Sequence, residues 1–192
     1  MVSSLLKQFT TEVHLNLEKK LISKIKLIRS AKDYSNILQI FYGYFGPLEK
    51  KIDEYLDKEI LPDYLLRRKS AAILYDLKTL NIDISNDAAI NEELPQIDNS
   101  FQALGALYVL EGSTLGGKTI AKMIESTIGI SNSLTFFKSY GNDTMSMWNI
   151  FKSVLNNLDL TEPQRKEVLI SAKDTFIKFE NWIEKNDSRK KL

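Results

Sequence analysis

The sequence predicts an all-α protein built as one multi-helix domain. Apolar residues recur every three or four positions in six segments, which is the spacing of a buried helix face. No segment alternates apolar and polar residues with the period of two that a half-buried strand requires. The 192 residues, of which 43% are hydrophobic and 27% charged, suit a single globular domain of ordinary composition.

Six helices are predicted, over residues 4–29, 33–58, 64–80, 101–128, 145–157 and 161–185. Ser30 or Asp33 is suited to cap the second helix, and Thr161 with Gln164 forms a capping box at the start of the sixth. Pro47 inside the second helix predicts a kink, which we interpret as a matter of shape alone. We therefore expect one domain over residues 1–186, followed by a charged tail over 187–192 that frays.

Composition excludes several classes of protein. A net charge of +1 argues against nucleic acid or a membrane surface as the main partner. No stretch approaches the roughly 20 apolar residues of a membrane span, and the first residues lack a signal-peptide pattern. The absence of cysteine excludes disulfides, thiolate metal sites and zinc knuckles. We therefore expect a cytoplasmic protein that acts as a monomer.

The first helix carries His14, the only histidine of the chain. Iron or soft-metal chemistry must therefore use this imidazole or fall back on Met, Tyr, Lys or carboxylate groups. His14 lies at the edge of an apolar stripe, and its own face also carries Lys7, Thr11 and Glu18. Glu18 is one turn beyond His14, as a carboxylate beside a metal-bound histidine should be. An ordinary boundary histidine with a chance acidic neighbour is the alternative. The predicted stripe consists of Leu5, Leu6, Phe9, Val13, Leu17 and Leu21.

The fourth helix contains four interior glycines, Gly105, Gly112, Gly116 and Gly117. Each costs about 1 kcal/mol of helix stability relative to alanine, so the set needs a reason. Close packing against another helix is one reason, and close approach of the backbone to a flat ligand is the other. The residues alone leave both open.

Residues 112–119, GSTLGGKT, also match the P-loop pattern GxxxxGK[ST]. That pattern binds nucleotide only between a strand and a helix of a parallel sheet. Val109 is the only β-branched residue among the eleven that precede Gly112, and no other segment predicts a strand. We therefore interpret the match as coincidental.

Four segments, in the same order along nearly the whole chain, resemble motifs of one protein family. Thr11-Glu12-Val13-His14 with Glu18 resembles the proximal-helix motif of the haem oxygenases. The run YVLEGSTLGG at 108–117 resembles the distal-helix motif of its bacterial, biliverdin-producing branch. The segment RKSAA at 68–72 with the Asp-Leu pair at 76–77, and the run from 158 to 176, resemble two further family segments.

The resemblance implies a haem sandwiched between the first, proximal helix and the glycine-rich distal helix. It makes His14 the axial iron ligand and Glu18 the hydrogen-bond partner of His14. It pairs Lys7 with a haem propionate and offers Tyr108 and Lys152 as weaker candidates for the same role. Further residues expected at the haem are Thr11, Gly112, Ser113, Gly116, Gly117, Phe176 and Phe179. A solvated role for Lys152 and a plain core role for the two phenylalanines stay open.

The implied activity is oxidative cleavage of haem, which is both cofactor and substrate, to biliverdin, carbon monoxide and ferrous iron. O₂ and electrons from an external ferredoxin-, flavodoxin- or flavoprotein-type reductase would drive it. Gly112, Ser113 and Gly116 are expected to shape the catalytic side opposite His14. A haem- or bilin-binding carrier without turnover is the alternative, and a helical interaction module that binds no haem is a third hypothesis.

Two positions depart from the animal pattern. Ser113 stands where those enzymes place a distal aspartate, and Phe45 where they place a tyrosine. We therefore expect the distal water network to be built otherwise. The chain has no second histidine and its fourth helix has no arginine, so we expect none of the distal groups that favour peroxidase chemistry.

Overall fold

The computed structural model describes residues 1–84 and 86–189, without the side chains of Ser188 and Arg189. Within this range the chain has no strand, and the all-α prediction is confirmed. Three 3-10 turns, Tyr64–Leu66, Asn91–Glu93 and Gly141–Asp143, lie in the connections. The seven helices are α1 (Val2–Ile25), α2 (Ala31–Tyr55), α3 (Ala71–Thr79), α4 (Ser100–Ile128), α5 (Thr135–Lys138), α6 (Thr144–Asn157) and α7 (Glu162–Arg189).

The capping signals of the sequence are confirmed. Ser30 is the N-cap of α2, and its hydroxyl accepts a hydrogen bond from the Asp33 backbone N–H at 3.1 Å. Before α7, the Thr161 N–H donates to Gln164 Oε1 at 2.9 Å, which is one half of a capping box. These caps satisfy backbone groups that the first turn of a helix leaves without an intrahelical partner.

The helix α2 runs through Pro47 instead of ending there. Proline has no N–H, so the carbonyl of Gly43, four residues earlier, loses its usual helical donor. The N–H of Ala89 takes that place at 2.8 Å. The interruption at Pro47 thus fastens the long connection between α3 and α4 onto α2.

The third predicted helix begins later than expected, at Ala71 instead of residue 64. Tyr64–Leu66 forms a 3-10 turn, and Arg67 follows in an extended conformation. This conformation turns the side chains of Arg67 and Arg68 towards α4, where both make hydrogen bonds. Tertiary contacts have overridden a helical pattern in this segment.

The helices α1 and α7 lie side by side and run in the same direction. Lys173 lies over the ring of Phe9 near the start of α1, and Lys20 pairs with Glu180 further along it at 2.7 Å. The pairing continues to Lys24 and Asp187. The predicted tail therefore overlaps α7, which extends to Arg189, while residues 190–192 lie outside the described part of the chain.

The buried stripe of α1 differs from the prediction. Val13 and Leu17 are buried as expected, but Leu5 and Phe9 are 39% and 44% exposed. Thr10 is buried instead, with its hydroxyl donating to the Leu6 carbonyl at 2.7 Å. A buried hydroxyl satisfied within its own helix is compatible with a core position. The stripe is thus rotated slightly towards the face that carries His14.

A cluster of aromatic rings fills the core between α2, α5 and α7. Its members are Phe41, Tyr44, Phe45, Phe136, Phe137 and Phe179. Phe136 and Phe137 are both buried and anchor α5 in this cluster. No helix in the described ranges is long and apolar enough to cross a membrane. The P-loop-like residues 112–119 lie inside α4.

Candidate functional site

The predicted face of α1 is open to solvent. Lys7, Thr11, His14 and Glu18 are all exposed. The face lies beside the buried stripe, as the helical spacing predicted. His14 also contacts α7, since its ring centroid lies 5.4 Å from that of Phe176, a buried residue. The imidazole therefore rests against the core on one side and is accessible on the other.

Glu18 lies on the His14 face, but no hydrogen bond joins the two side chains in the described part of the chain. Both side chains are exposed, so water competes for their polar atoms. The expected pairing of Glu18 with a ligating His14 stays a prediction.

The buried side chains of Thr10 and Tyr108 join α1 to α4. The Tyr108 hydroxyl lies beside the Thr10 side chain, and burial raises the pKa of Tyr108. His14 is one turn beyond Thr10 on α1, and Gly112 is one turn beyond Tyr108 on α4. The contact thus lies one turn from the predicted site residues on both helices.

The four glycines of α4 have different surroundings. A Cβ on Gly105 would lie 2.9 Å from the Ser171 Cβ of α7, and one on Gly117 would lie 3.1 Å from the Phe137 carbonyl carbon. Real Cβ atoms do not come so close to backbone, so these two glycines serve helix packing. Apart from α4 itself, no heavy atom of the described residues lies within 4 Å of the same position on Gly116. Close packing therefore accounts for Gly105 and Gly117, while close approach of a flat ligand to Gly116 stays a prediction.

Gly112 has an intermediate environment, because its nearest neighbour is the Trp148 ring of α6, at 3.7 Å. At about 100° per residue, the order around the α4 axis is Gly112, Gly116, Ser113, Gly117. The helix α6 borders one end of this arc and α5 the other. Gly116 and Ser113 thus occupy the sector of α4 that lies between α5 and α6.

Lys152 of α6 lies 5.8 Å from the centre of the Trp148 ring. It also lines a cleft with Ser3 and Ser4, at the beginning of α1. Ser3, Lys7 and His14 share one helix face, because they are four and seven residues apart. The predicted propionate partners Lys7 and Lys152 are therefore both at the N-terminal side of His14.

Phe179 lies in the core, and not beside His14 as Phe176 does. Its ring stacks on Tyr44 at 4.9 Å and belongs to the aromatic core. The plain core role that the sequence left open for Phe179 fits this position, whereas Phe176 lies beside His14.

A buried ion pair supports α4 just before Gly112. Arg67 donates to Glu111 at 2.6 Å, and both side chains are almost fully buried. Burial lowers the pKa of Arg67, but Glu111 and Asp63 outweigh that effect and raise it. The Tyr140 hydroxyl also donates to Glu111, at 2.9 Å. This network could not be predicted from the sequence, because neither helical periodicity nor a motif singled out Glu111.

Arg68 is the site residue that the sequence interpretation missed. Its Nη2 donates to the Leu110 carbonyl at 2.8 Å and to Ser113 Oγ at 2.9 Å. The distal helix itself has no arginine. Arg68 nevertheless reaches it from the segment before α3, which the sequence interpretation did not foresee. The RKSAA motif contained this residue without indicating where its side chain points.

Comparison with known proteins decides the family. A family model described as "Heme oxygenase" matches residues 1–185. The chain belongs to the haem oxygenase family. A heme oxygenase of Xanthomonas campestris pv. campestris is 27% identical over 154 residues, which are 80% of this chain and 90% of that protein. As a member of the family, the chain is an enzyme that degrades haem.

Solved haem oxygenase structures share the fold. The NO- and CO-bound enzyme from Neisseria meningitidis superposes with a TM-score of 0.74 at 23% identity, over 97% of this chain and 92% of that one. Heme oxygenase-1 of the cyanobacterium Synechocystis, in complex with heme, gives 0.72 at 16% identity, over 98% and 93%. The enzyme from Leptospira interrogans gives 0.72 at 16% identity, over 94% and 97%.

Proposed function

We propose that this haem oxygenase cleaves haem to biliverdin, carbon monoxide and ferrous iron, as members of the bacterial branch do. O₂ and electrons from a ferredoxin-, flavodoxin- or flavoprotein-type reductase would drive the reaction. The observation that carries the proposal is the position of His14. The only imidazole of the chain is exposed on α1, one turn from the contact with α4.

The residues present fit a haem between α1 and α4. His14 offers an accessible imidazole, and Gly116 offers open backbone, since no described atom outside α4 lies within 4 Å of its Cβ position. Haem, when bound, supplies the iron at which O₂ is activated. His14 would hold the iron, Glu18 would orient the imidazole, and Thr11 would border the ring on the same face.

The propionates would lie towards the N-terminal end of α1. Lys7 is exposed on the His14 face, and Lys152 lines the cleft next to Ser3. Two ammonium groups there match the charge of two carboxylates. Tyr108 is buried beside Thr10, so we assign it to holding α1 against α4, with its hydroxyl as a further donor at this end.

Gly112, Ser113 and Gly116 would form the distal side. Gly116 admits a flat ring against the backbone, while Trp148 limits access at Gly112. Phe176 would support the proximal side through its contact with His14. We assign Gly117 and Phe179 to packing, since α5 covers the former and the aromatic core surrounds the latter.

A haem titration followed by turnover tests the proposal. The protein should bind haem in equimolar amount with a Soret band typical of an imidazole-ligated iron. Addition of reductant and O₂ should then bleach that band and release biliverdin and carbon monoxide. A haem spectrum that persists under turnover conditions would favour the carrier function instead. Failure to bind haem would contradict both.

A further inference from the structure

The first turn of α1 has no cap of its own. Met1 occupies the N-cap position, and its side chain makes no capping hydrogen bond. The first N–H groups of a helix have no partner inside it, and here the first that bonds back along the helix is that of Leu5, to the Met1 carbonyl at 3.3 Å. The Ser3 N–H instead donates to Oδ1 of Asn156, near the end of α6, at 2.9 Å. A side chain of another helix therefore caps α1.

The bond to Asn156 is the main polar attachment of this end of α1. Among the described residues, it is the one hydrogen bond that joins residues 1–8 to another helix. Leu6 is buried, but apolar packing leaves the backbone of a terminal turn free to fray. The other end of α1 is held by charge pairs with α7, such as that of Lys20 with Glu180 at 2.7 Å. The position of the α1 start therefore depends on one amide oxygen.

The helix α6 is a fixed support for this cap. Leu155, which precedes Asn156, is fully buried. Further along α6, the Trp148 ring lies 5.3 Å from that of Tyr108 and 3.7 Å from the Cβ position of Gly112, both in α4. Asn156 thus ties the start of α1 to a helix that is already packed against α4.

The bonded pair lies one turn from each of the two proposed propionate lysines. Lys7 follows Ser3 by four residues on α1, and Lys152 precedes Asn156 by four on α6. Each lysine therefore shares a helix face with a bonded residue, about 5.4 Å away along the axis. Ser3, Lys152 and Asn156 also line one cleft. A displacement of α1 at Ser3 would thus change the spacing of the two ammonium groups.

We infer that Asn156 is a positioning residue, which caps α1 from α6 and thereby holds Lys7 opposite Lys152 at the propionate end of the haem site. The inference rests on the proposed function, because it takes the two lysines as propionate partners. Surface ion pairs are individually weak, so Lys7 can select one haem orientation only if its backbone is fixed. Asn156 fixes the turn before it and acts through Lys7.

Hydrogen exchange of the apo-protein tests the cap without haem. Asn156→Ala removes the acceptor, and the amides of residues 5–8 should exchange about fivefold faster, the fold-change that loss of a typical N-cap gives. Asn156→Asp keeps an acceptor oxygen and adds a negative charge that a helix N-terminus favours, so protection should be retained. Asn157→Ala, at the exposed next position of α6, is the matched control and should change nothing.

The orientation of bound haem tests the positioning role. In the cyanide-bound ferric complex, which does not turn over, each haem orientation gives its own set of shifted haem methyl resonances. Asn156→Ala should show an additional set, and its product should contain mixed biliverdin isomers. The double variant Lys7→Ala/Asn156→Ala should show no more mixing than Lys7→Ala alone, because Asn156 acts through Lys7. Asn157→Ala should keep the orientation of the unaltered protein.

Unchanged exchange in Asn156→Ala, or an equal loss of protection in Asn156→Asp, would overturn the cap. Faster exchange with an unaltered haem orientation, or additive mixing in the double variant, would overturn the positioning role. Asn156 is half-buried, so we expect Asn156→Ala to fold, which thermal melts check. Asn156→Ser replaces it where it does not, since the serine hydroxyl is too short to reach the Ser3 N–H.

Failure of the unaltered protein to bind haem would contradict the proposed function instead. The exchange of the apo-protein would still decide whether Asn156 caps α1. The failure of the inference and that of the proposed function are therefore distinguishable.

Discussion

The backbones of α4 and α5 touch at Gly117 and Phe137. A Cβ on Gly117 would overlap the carbonyl of Phe137, and α5 therefore requires glycine at this position. At Gly116, the preceding residue, no described atom outside α4 lies within 4 Å of the corresponding position. Of these two adjacent glycines, Gly117 is required for helix packing, whereas Gly116 leaves its side of the backbone open.

The open position at Gly116 predicts opposite effects of one substitution on stability and on haem binding. Gly116→Leu should keep the apo-protein as stable, or make it more stable by up to about 1 kcal/mol, because leucine is the better helix former. The same side chain should obstruct the distal face and weaken haem or O₂ binding. Thermal melts of the apo-protein and haem titrations of the same variant measure both effects.

Gly117→Ala is the matched control for Gly116→Leu. Its methyl group would have to displace the Phe137 backbone, so we expect a loss of about 1–3 kcal/mol of apo-protein stability. A loss of that size in Gly116→Leu as well would show that Gly116 also serves packing, contrary to our assignment.

Lys7 is predicted to orient the haem more than to hold it. Lys7 is exposed, and a surface ion pair contributes about 0–1 kcal/mol. Lys7→Ala should therefore change haem affinity little but yield mixed or shifted biliverdin isomers, which chromatography of the product resolves. Lys19→Ala, another exposed lysine of α1 on a different face, should leave the isomers unchanged. An unaltered pattern in Lys7→Ala would count against the propionate assignment.

Ser113→Ala should lower turnover without abolishing it. The Ser113 hydroxyl donates its proton to the Leu110 carbonyl. It can therefore take part in the distal network only as a hydrogen-bond acceptor. The rate of biliverdin formation, measured with haem binding as a check, gives the result. Complete loss of turnover in a variant that still binds haem would mean that Ser113 itself takes the role of the aspartate.

The ion pair between Arg67 and Glu111 should be needed for stability. Glu111→Gln removes one charge from a buried pair. We expect it to lower the free energy of unfolding by about 3–5 kcal/mol, because the positive charge of Arg67 stays buried without the Glu111 carboxylate. Urea unfolding of the apo-protein measures this cost. Glu162→Gln, which breaks the exposed pair with Arg165, is the control and should cost about 0–1 kcal/mol. Equal effects of the two changes would contradict the supporting role of Glu111.

Local signals in the sequence predicted much of the fold. Helical periodicity located α1, α2, α4, α6 and α7 to within a few residues, because each buries a continuous apolar face. It failed from residue 64 to residue 70, where the side chains of Arg67 and Arg68 bind a helix more than 40 residues away. Hydrogen bonds between residues so far apart in the chain do not produce a periodic pattern in the sequence.

The candidate site was predictable only in part. His14 could be singled out because it is the only histidine, and its exposure at the stripe edge follows from helix geometry. The separate roles of Gly116 and Gly117 could not be deduced, since both have the same intrinsic cost in a helix. Only the position of α5 distinguishes them.

His14 is the residue that we propose to hold the iron. His14→Ala should fold normally, because the imidazole is exposed and the change leaves the core of α1 intact. Asn16→Ala, at another exposed position of the same helix, is the matched control and should bind and degrade haem normally.

The optical spectrum of haem-loaded His14→Ala is the most direct measurement. We expect the normal Soret band and turnover to be lost, because the chain has no other histidine to replace the ligand. Added imidazole should partly restore both. An unchanged Soret band with full biliverdin formation in this variant would contradict the account.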